Sequence, residues 1–563
     1  MKNSSLVVLL CAALVYACAK PESKTAFLAS DRPLAPVYSI DKDGAASICD
    51  SIPRGSKLVV RPSETMKIEK TRYVNASVEG SSKECFWIDE TTLADSLEAC
   101  VLEKELYVRT PASVIRDTTC SEICSLAEKG ERLDVIGYDR IGKDGRIRRY
   151  KIRQNTKRGV REGYVFAKYL VFDKDEAMMR YRPERYDTLH AKVRDPFGGG
   201  RPEGCDFYPV EKPSFPGKAL PRECRSLYLN ISPAGVGRID KFIELAKSTL
   251  INTFVIDIKD NECPGYKAEA MEKYSPTNFK WGGKNKADMY RNAVKRLHEE
   301  GFWVVGRITC FKDSYFVKDN PSTAITEKAT GKPFFHNKAY WPSAYDRRVW
   351  QFNVELAKEA VRTFGFDEIN FDYVRFPDRM TSVEDLIDYH NVYNESKVQA
   401  IQRFVQYACD EIHTLGAYVS IDVFGESANQ GYTTAYGQYW PALSNVADVM
   451  CGMPYPDHFA NHSYGIDKPW NHPYEVLNAW GHHVTNRQSE CETPAQVRTW
   501  VQSYHVMRWV DKNGIDYDAE NIAKEIRGLY DAGLDGGYVT WLASSNYDRY
   551  VEISDAFRTD YRK

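Results

Sequence analysis

From about residue 223 onward, short apolar runs alternate with longer segments in which apolar residues recur every three to four positions. The apolar runs are "SLYLNIS", "TFVIDIKD", "WVVGRITCF", "EINFDYVRF", "YVSIDVFG", "DVMCGMPYP", "VRTWVQSYH" and "GGYVTWLAS". Nearly continuous apolar runs are typical of parallel strands that are buried on both faces. Strands that alternate with amphipathic helices predict an α/β fold, and eight such units predict a (β/α)8 TIM barrel over residues 223–563.

The preceding part of the chain has a different pattern, with short strands and turns but little helical periodicity. It predicts two small all-β domains, over residues 37–101 and 102–175. Residues 19–36 are polar and contain proline, so we expect a tether there. Residues 176–222 are rich in Arg, Pro and Gly, and we expect a linker that wraps onto the barrel.

The N-terminus combines Lys2 with an apolar stretch, Leu6 to Tyr16, that is too short to span a bilayer. It ends in "VYAC" and then turns polar, which predicts a signal peptide over residues 1–18. The pattern resembles a bacterial lipoprotein signal, in which Cys18 is acylated after cleavage. We therefore expect an exported protein, lipid-anchored to the cell envelope on an undetermined side. The alternative is plain secretion, with cleavage near Ala17 or Ala19.

Composition narrows the classes of partner. With 43% hydrophobic and 27% charged residues and a net charge of -2, the 563-residue chain is typical of a soluble multidomain protein, and no nucleic-acid partner is expected. The 13% aromatic content suits sugar stacking or, equally, Tyr-rich β structure. Disulfides are possible in an exported chain, with Cys120–Cys124 and Cys205–Cys224 as local candidates. No motif indicates a cofactor.

Polar residues interrupt the apolar runs near the strand ends, where a barrel of this kind carries its active site. The candidates are Asp257, Lys259, Arg307, Asp372, Arg375, Asp422, Asp448, Tyr455, His458, Gln502 and Trp541. A single buried Asp can be one half of a structural ion pair. Several carboxylates at one barrel mouth favour glycoside hydrolysis instead, which uses one carboxyl group as acid and another as nucleophile or base.

Motifs along the barrel support that interpretation. The chain contains "VIDIKD" at 255–260, "GRITCFKD" at 306–313, "WQFNVELAKEAV" at 350–361, "GFDEINFDYVRFP" at 365–377, "VSIDVFG" at 419–425, "GQYW" at 437–440, "MPYPDHF" at 453–459 and "HPYEVLNAW" at 472–480. In this order they resemble a family of bacterial barrel domains of unknown function that is grouped with the glycoside hydrolases. The resemblance implies hydrolysis of a polysaccharide or peptidoglycan and leaves the sugar open.

The small β domains carry a looser resemblance. The segments "VRTPASVIRDTTC", "AEKGERLDVIGY" and "REGYVFAKYL" resemble a bacterial SH3-like domain, and residues 37–101 look like a divergent copy. Such domains bind cell-wall peptides or act as spacers.

Related sugar-cleaving barrels imply roles for individual residues. By that analogy Asp372 is the nucleophile and Asp422 is the acid/base, with Asp257 and Asp448 in support. Arg375 and Lys259 would keep Asp372 ionised or bind sugar hydroxyls, unless they are structural ion-pair partners.

The sequence departs from the family pattern at two places. Ala543 and Ser544 stand where Trp-Asn is usual. Glu426 follows the glycine of "DVFG" where an aromatic residue is usual, and it is either a second acid candidate or a rim residue.

Two other functions stay open. His458 and His462 have a helical metal-ligand spacing beside Asp457, which would suit a metal-dependent carbohydrate deacetylase. A non-catalytic lipoprotein that binds glycan or cell wall is the other alternative. The discriminating observation is whether Asp372 and Asp422 face one open cleft, since a covered carboxylate would favour binding.

Overall fold

The computed structural model describes residues 23–81, 86–157, 159–195, 198–232, 235–283, 286–429, 431 and 433–563, so the predicted signal peptide and Cys18 lie outside the described residues. The chain divides into two compact units, and the second comprises Thr110–Glu128 and Met178–Lys563. In the described part of the chain, no helix combines the length and the apolar character that a membrane crossing requires.

The N-terminal part contains two seven-stranded sheets. Their strands are β1 Lys24–Leu28, β2 Leu34–Ile40, β3 Ala46–Pro53, β4 Lys57–Ile68, β5 Thr71–Val78, β6 Phe86–Asp89 and β7 Leu93–Ala94, then β8 Glu105–Val108, β9 Ala112–Ile115, β10 Ile123–Ala127, β11 Arg132–Tyr138, β12 Arg149–Thr156, β13 Gly159–Phe166 and β14 Leu170–Val171. The strand orders are β3-β2-β6-β5-β4-β1-β7 and β10-β9-β13-β12-β11-β8-β14. The second order repeats the first, seven strands later. The SH3-like identity of either sheet stays a prediction.

The tether expected over residues 19–36 is wrong for most of its described part. Strand β1 pairs with β4 and with β7, and β2 pairs with β3. Ala26 and Leu28 are buried in the hydrophobic core of this sheet. Ala26 and Leu28 are buried at alternate positions, which is a strand pattern that the polar composition of the wider segment obscured.

The C-terminal part is built on a parallel sheet. Its strands, with short additional ones, are β15 Cys224–Leu229, β16 Thr253–Asp260, β17 Cys263–Pro264, β18 Trp303–Thr309, β19 Thr326–Glu327, β20 Phe335–His336, β21 Ala339–Tyr340, β22 Glu368–Asp372, β23 Ile387–Asp388, β24 Tyr418–Phe424, β25 Val449–Met453, β26 Gln496–Val497, β27 Thr499–Gln502 and β28 Gly537–Trp541. The order is β26-β25-β24-β22-β18-β16-β15-β28-β27. Only Arg498 separates the two end segments, so these nine segments form a nearly closed barrel, consistent with the TIM-like barrel that the sequence predicts.

Helices separate most of the barrel strands. The helices of the chain are α1 Lys174–Met178, α2 Pro183–Ala191, α3 Ile239–Lys247, α4 Glu269–Tyr274, α5 Pro276–Trp281, α6 Lys286–Glu299, α7 Ser314–Asp319, α8 Arg347–Phe364, α9 Lys397–Ile412, α10 Trp440–Ser444, α11 Pro473–Ser489, α12 Ala519–Asp531 and α13 Tyr547–Glu552. Gly365 ends α8 at φ 83°, a left-handed conformation that favours glycine.

Residue alternation along the strands fills the barrel interior in layers. Glu368 lies at the start of β22, and both of its carboxylate oxygens accept hydrogen bonds from Arg498, at 2.8 and 3.2 Å. Above this buried pair, Val255, Val305 and other apolar side chains form the central cluster. Asn370 and Asp372 follow Glu368 at every second position of β22 and point to the same face. Asp372 is the last residue of the strand and therefore lies at the C-terminal mouth.

Residues 178–222 belong to the barrel unit. Tyr186, Val193 and Phe207 form a buried cluster with Val398 of α9 and with Tyr439. The Lys212 ammonium donates to the carbonyl oxygens of residues 444, 445 and 447 at 2.6–3.1 Å. This segment is therefore packed on the barrel over much of its length.

No disulfide joins the cysteines that the sequence paired. Cys120, Cys205 and Cys224 all carry free thiols. Cys224 is the first residue of β15 and is fully buried.

Candidate active site at the barrel mouth

A cavity of about 700 Å³ opens at the C-terminal ends of the barrel strands. Seven of the eleven candidate residues line it: Arg307, Asp372, Arg375, Asp422, Tyr455, His458 and Trp541. The other four, Asp257, Lys259, Asp448 and Gln502, do not. The strand-end rule thus identified the mouth, although not every polar residue near a strand end reaches it.

Arg307 is the centre of the carboxylate cluster. It projects inward from β18, where it pairs in register with Asn370 of β22. Its Nη1 atom lies 2.6 Å from Oδ1 of Asp257, its Nη2 donates to Oδ2 of Asp372, and its Nε lies 3.7 Å from Oδ2 of Asp422. Nη1 also lies 3.5 Å from Oδ1 of Asp260, so one buried cation contacts four carboxyl groups from three different strands.

Asp372 is the carboxyl group of this cluster that reaches the cavity. It ends β22, its side chain is 9% exposed, and its Oδ1 accepts from the backbone N–H of Tyr373 at 2.5 Å. Tyr373 adopts φ 50°, a left-handed conformation that costs a bulky residue on the order of 1–3 kcal/mol. The strand thus ends in a sharp turn immediately after Asp372. Such strain is concentrated at functional sites in proteins.

Asp422 lies deeper than Asp372. Its Oδ1 accepts hydrogen bonds from Asn370 at 2.9 Å and from the Trp500 indole at 2.8 Å. Its side chain is 0% exposed, although it forms part of the cavity wall. Burial, and then the neighbouring Asp372 carboxyl, raise the pKa of Asp422 well above its usual range. Of the two carboxyl groups assigned to catalysis, one is open to the cavity and the other is covered.

The position of Arg375 corrects an expectation. We expected it to contact Asp372 or Asp422, but its Nη1 donates to the carbonyl of Phe376 at 3.0 Å and lies 3.4 Å from Oδ1 of Asp378. Four aromatic rings surround its guanidinium at 4.6–5.8 Å: Trp341, Tyr373, Phe424 and Tyr436. The chain has already turned at Tyr373, so Arg375 points away from the cluster. Arg307, and not Arg375, is the arginine that contacts Asp372.

Asp257 supports Arg307 from below and does not line the cavity. It is fully buried, and the Tyr228 hydroxyl donates to its Oδ2. Burial raises the pKa of Asp257 to about 7, against the opposing effect of Arg307. Asp257 was a candidate substrate-binding residue, but it does not line the cavity. Its contact with Arg307 fits a residue that orients this arginine.

Lys259 is on the opposite face of β16 from Asp257. The pairing with β18 shifts between these two residues, so Ile258 is the extra residue of a β-bulge. The bulge turns Lys259 out of the barrel, where its Nζ donates to the carbonyl of Thr309 at 2.5 Å and to Asp313 at 3.0 Å. Lys259 is a buried structural ion-pair partner and not a substrate ligand.

Asp448 and Gln502 also differ from their expected roles. Asp448 precedes β25 and therefore lies at the N-terminal end of the barrel, where its Oδ2 is 2.8 Å from His413 Nε2. Gln502 ends β27, but it is fully buried and its amide donates to the carbonyl of Tyr504 at 3.2 Å. Both side chains stabilise neighbouring backbone segments.

Aromatic and imidazole groups complete the wall. The ring of Trp541 lies 5.4 Å from the Arg307 guanidinium, and the ring of Tyr455 lies 5.3 Å from that of His458.

His458 is in a short 3-10 turn with its Nδ1 2.8 Å from Asp457, whereas the exposed His462 has left-handed backbone and lies 3.8 Å from Asp467. The helical spacing that a His458–His462 metal pair requires is absent. Among the described residues, no group of three His, Cys, Asp or Glu side chains could hold a metal ion.

The cavity wall also includes residues that were not among the candidates, and Asp260, Asp378, Tyr436 and Trp500 are examples. Asp378 ends the hallmark segment "VRFPD", and Trp500 alternates in β27 with outward-facing positions. Alternation within that strand was the available signal for Trp500, because its ring faces the lumen and its indole N–H binds Asp422.

Comparisons with known proteins agree with the site. Residues 226–547, more than half of the chain, match a family described as "Putative glycosyl hydrolase domain". No curated protein matches the sequence.

Several solved structures are similar to parts of the chain. A hypothetical protein from Ruminiclostridium thermocellum ATCC 27405 is 30% identical over 35% of this chain and 97% of its own, with a TM-score of 0.30. The PgaB (BpsB) glycoside hydrolase domain from Bordetella bronchiseptica is 13% identical over 60% of this chain and 98% of its own, with a TM-score of 0.42. The Flavobacterium johnsoniae chitobiase is 11% identical over 60% and 48%, with a TM-score of 0.39. At these scores the structural likenesses carry no functional argument.

Proposed function

The chain belongs to the family described as "Putative glycosyl hydrolase domain", and from this we propose that its barrel hydrolyses glycosidic bonds in a polysaccharide or cell-wall glycan. Asp372 is the proposed nucleophile. The observation that carries the proposal is its position: a carboxylate at a strand end, held by Arg307 and open to a cavity with aromatic walls.

The proposed reaction has two steps. An Asp372 oxygen bonds to the anomeric carbon while the bond to the leaving sugar breaks, and an acidic side chain protonates the departing oxygen. Water then attacks the same carbon, the bond to Asp372 breaks, and the side chain that gave up its proton in the first step takes a proton from that water. Arg307 contacts the Asp372 carboxylate throughout, so the cation stabilises the negative charge that returns to Asp372 in the second step.

Asp422 is the acid/base candidate from the sequence, and its environment supports only half of that role. Its raised pKa suits a group that holds its proton to a higher pH than an ordinary aspartate. Its covered side chain does not suit direct contact with a glycosidic oxygen. Asp422 is therefore better explained as a covered residue that supports Asp372 than as a residue that contacts the substrate.

The covered Asp422 also favours a second candidate function, a non-catalytic lipoprotein that binds glycan at the same cavity. The stacking faces of Trp541, Tyr455 and Phe424 suit sugar rings with or without catalysis. A binding protein would hold polysaccharide without releasing new reducing ends.

The test is incubation of the purified protein with a panel of polysaccharides that includes peptidoglycan, with release of reducing ends as the readout. Hydrolysis of at least one glycan, abolished in Asp372→Asn, is the expected result. Binding without hydrolysis would favour the second function.

We further propose that the protein is exported and anchored to the cell envelope through Cys18. The short apolar segment before "VYAC" supports this proposal. A cell-envelope location would place the barrel near cell-wall glycan.

A further inference from the structure

Glu426 lies on the wall of the candidate active site, immediately after β24. It belongs to the 3-10 turn Gly425–Ala428, which follows β24 directly. Its side chain is exposed and lines the same cavity as Asp372. Asp422, four residues earlier in β24, also borders the cavity but is covered, so β24 and its turn present one covered and one exposed carboxyl group at the cavity wall.

The backbone before Glu426 is fixed by close packing. A Cβ atom on Gly425 would lie 2.8 Å from the Cα of Pro454 and 3.1 Å from the carbonyl oxygen of Met453. Only glycine allows this approach to the loop after β25. The turn is therefore held against its neighbour, and Glu426 projects from a rigid element, as a catalytic group needs.

Glu426 has no structural task in the described part of the protein. No hydrogen bond or ion pair joins its carboxyl group to another described residue, in contrast to Asp372, Asp422 and Asp378. A carboxyl group with no partner at a cavity wall is free to exchange a proton with a substrate.

The charges that face Glu426 come from the segment after β22. Partial loss of water contact at the cavity wall raises the pKa of Glu426, although its side chain stays exposed; Asp378 raises this pKa further and Arg375 lowers it. Other titratable groups on the cavity wall include Tyr436, whose ring packs on Phe424 before this turn, and His458 and Tyr455 after β25. A proton is therefore held on Glu426 to a higher pH than on an ordinary glutamate, which suits a general acid.

We propose that Glu426 is the general acid/base of the reaction and that Asp422 is a positioning residue for Asp372. The inference rests on the proposed function, and it replaces Asp422, which we predicted from the sequence as the acid/base, by Glu426. In the first step the Glu426 carboxyl proton moves to the glycosidic oxygen as its bond to the anomeric carbon breaks. In the second step Glu426 takes a proton from the attacking water.

The test compares two leaving groups. Phenyl glycosides need protonation of the departing oxygen and 2,4-dinitrophenyl glycosides do not. Both series, prepared for glucose, galactose, mannose and N-acetylglucosamine in each anomeric form, are assayed with wild type, Glu426→Gln, Asp422→Asn, Asp372→Asn and the control Glu262→Gln. Glu262 is a partly exposed carboxyl group near the rim that does not line the cavity.

Glu426→Gln should lose roughly 10²–10⁴-fold in kcat/KM on the phenyl glycoside and much less on the dinitrophenyl glycoside. Added azide should restore turnover of the dinitrophenyl glycoside and yield a glycosyl azide, because a small anion needs no general base. In wild type kcat/KM should fall at alkaline pH as Glu426 loses its proton, and this fall should disappear in Glu426→Gln and persist in Asp422→Asn.

Equal losses on both glycosides, or no loss, would overturn the role of Glu426. If Asp422→Asn showed the leaving-group dependence and the azide rescue instead, Asp422 would be the general acid/base. These outcomes leave the hydrolase proposal intact, whereas a wild-type protein that cleaves none of these glycosides and no polysaccharide of the panel would refute the hydrolase proposal itself. An Asp372→Asn variant that cleaves both glycosides like wild type would refute only the nucleophile assignment.

Discussion

Arg307 and Asp372 form a buried ion pair between neighbouring strands, with Nη2 of the arginine donating to Oδ2 of the aspartate. The same guanidinium lies 2.6 Å from Asp257 and 3.7 Å from Asp422. The cation therefore balances a cluster of carboxyl groups that would otherwise repel one another.

Replacing Arg307 by Met should destabilise the barrel by about 3–5 kcal/mol, because it leaves buried carboxylates without their partner. Chemical denaturation measures the loss. Arg379→Met is the matched control, since the Arg379 side chain is 91% exposed and its ion pair with Asp378 spans 3.9 Å. If Arg307→Met were as stable as the control, the central position of this cation would be wrong.

Lys259→Met should be destabilised by a similar amount without any direct effect on substrate affinity. The substitution leaves Asp313 buried and without its cation, behind the barrel wall. Denaturation and the KM for the identified glycan test the two halves of this prediction. A folded variant with wild-type stability and a raised KM would place Lys259 at the substrate after all.

Strands β22 and β16 show which side-chain directions can be predicted from alternation in the sequence. Alternation along β22 predicted that Asn370 and Asp372 face the same way, and both do face the barrel lumen. The same alternation on β16 would place Lys259 beside Asp257, but the bulge at Ile258 reverses the face. A bulge leaves no reliable trace in the sequence, because it is set by pairing with the neighbouring strand.

The sequence also did not predict where side chains at the ends of the strands lie. Asp448 belongs to an apolar run, but it lies at the start of that strand and therefore at the opposite end of the barrel from Asp372. Arg375 follows Asp372 by only three residues, but the left-handed Tyr373 turns the chain between them. Residue types and spacing identified the strands, whereas the direction of each side chain beyond a strand end depends on tertiary packing.

The raised pKa of Asp257 predicts a pH dependence of stability. The folded state holds this proton to a pH of about 7, whereas the unfolded chain releases it near the usual aspartate value of about 3.9. Between these values the folded state binds more protons, so the free energy of unfolding that Asp257 contributes falls as pH rises.

Asp257→Asn, which is close in shape, should therefore lose less stability than wild type between pH 4 and pH 7. Melting temperatures measured across that interval provide the check. A steeper decline in the variant than in wild type would contradict the assigned direction of the shift.

Cys18→Ser should release the protein from membranes into the soluble fraction, because acylation of this thiol is the proposed anchor. Fractionation of cells that express either form is the measurement, and Cys49→Ser, at an exposed cysteine of the described β region, is the control. Continued membrane association of Cys18→Ser would mean that another feature anchors the chain.

The central claim, that Asp372 performs covalent catalysis, is tested most directly by the activity of Asp372→Asn on the glycan that wild type cleaves. The substitution is nearly isosteric, so the variant should melt close to wild type while its kcat falls by several orders of magnitude. Retention of most of the activity, or loss of the folded barrel, would contradict the account and make Asp372 a structural partner of Arg307.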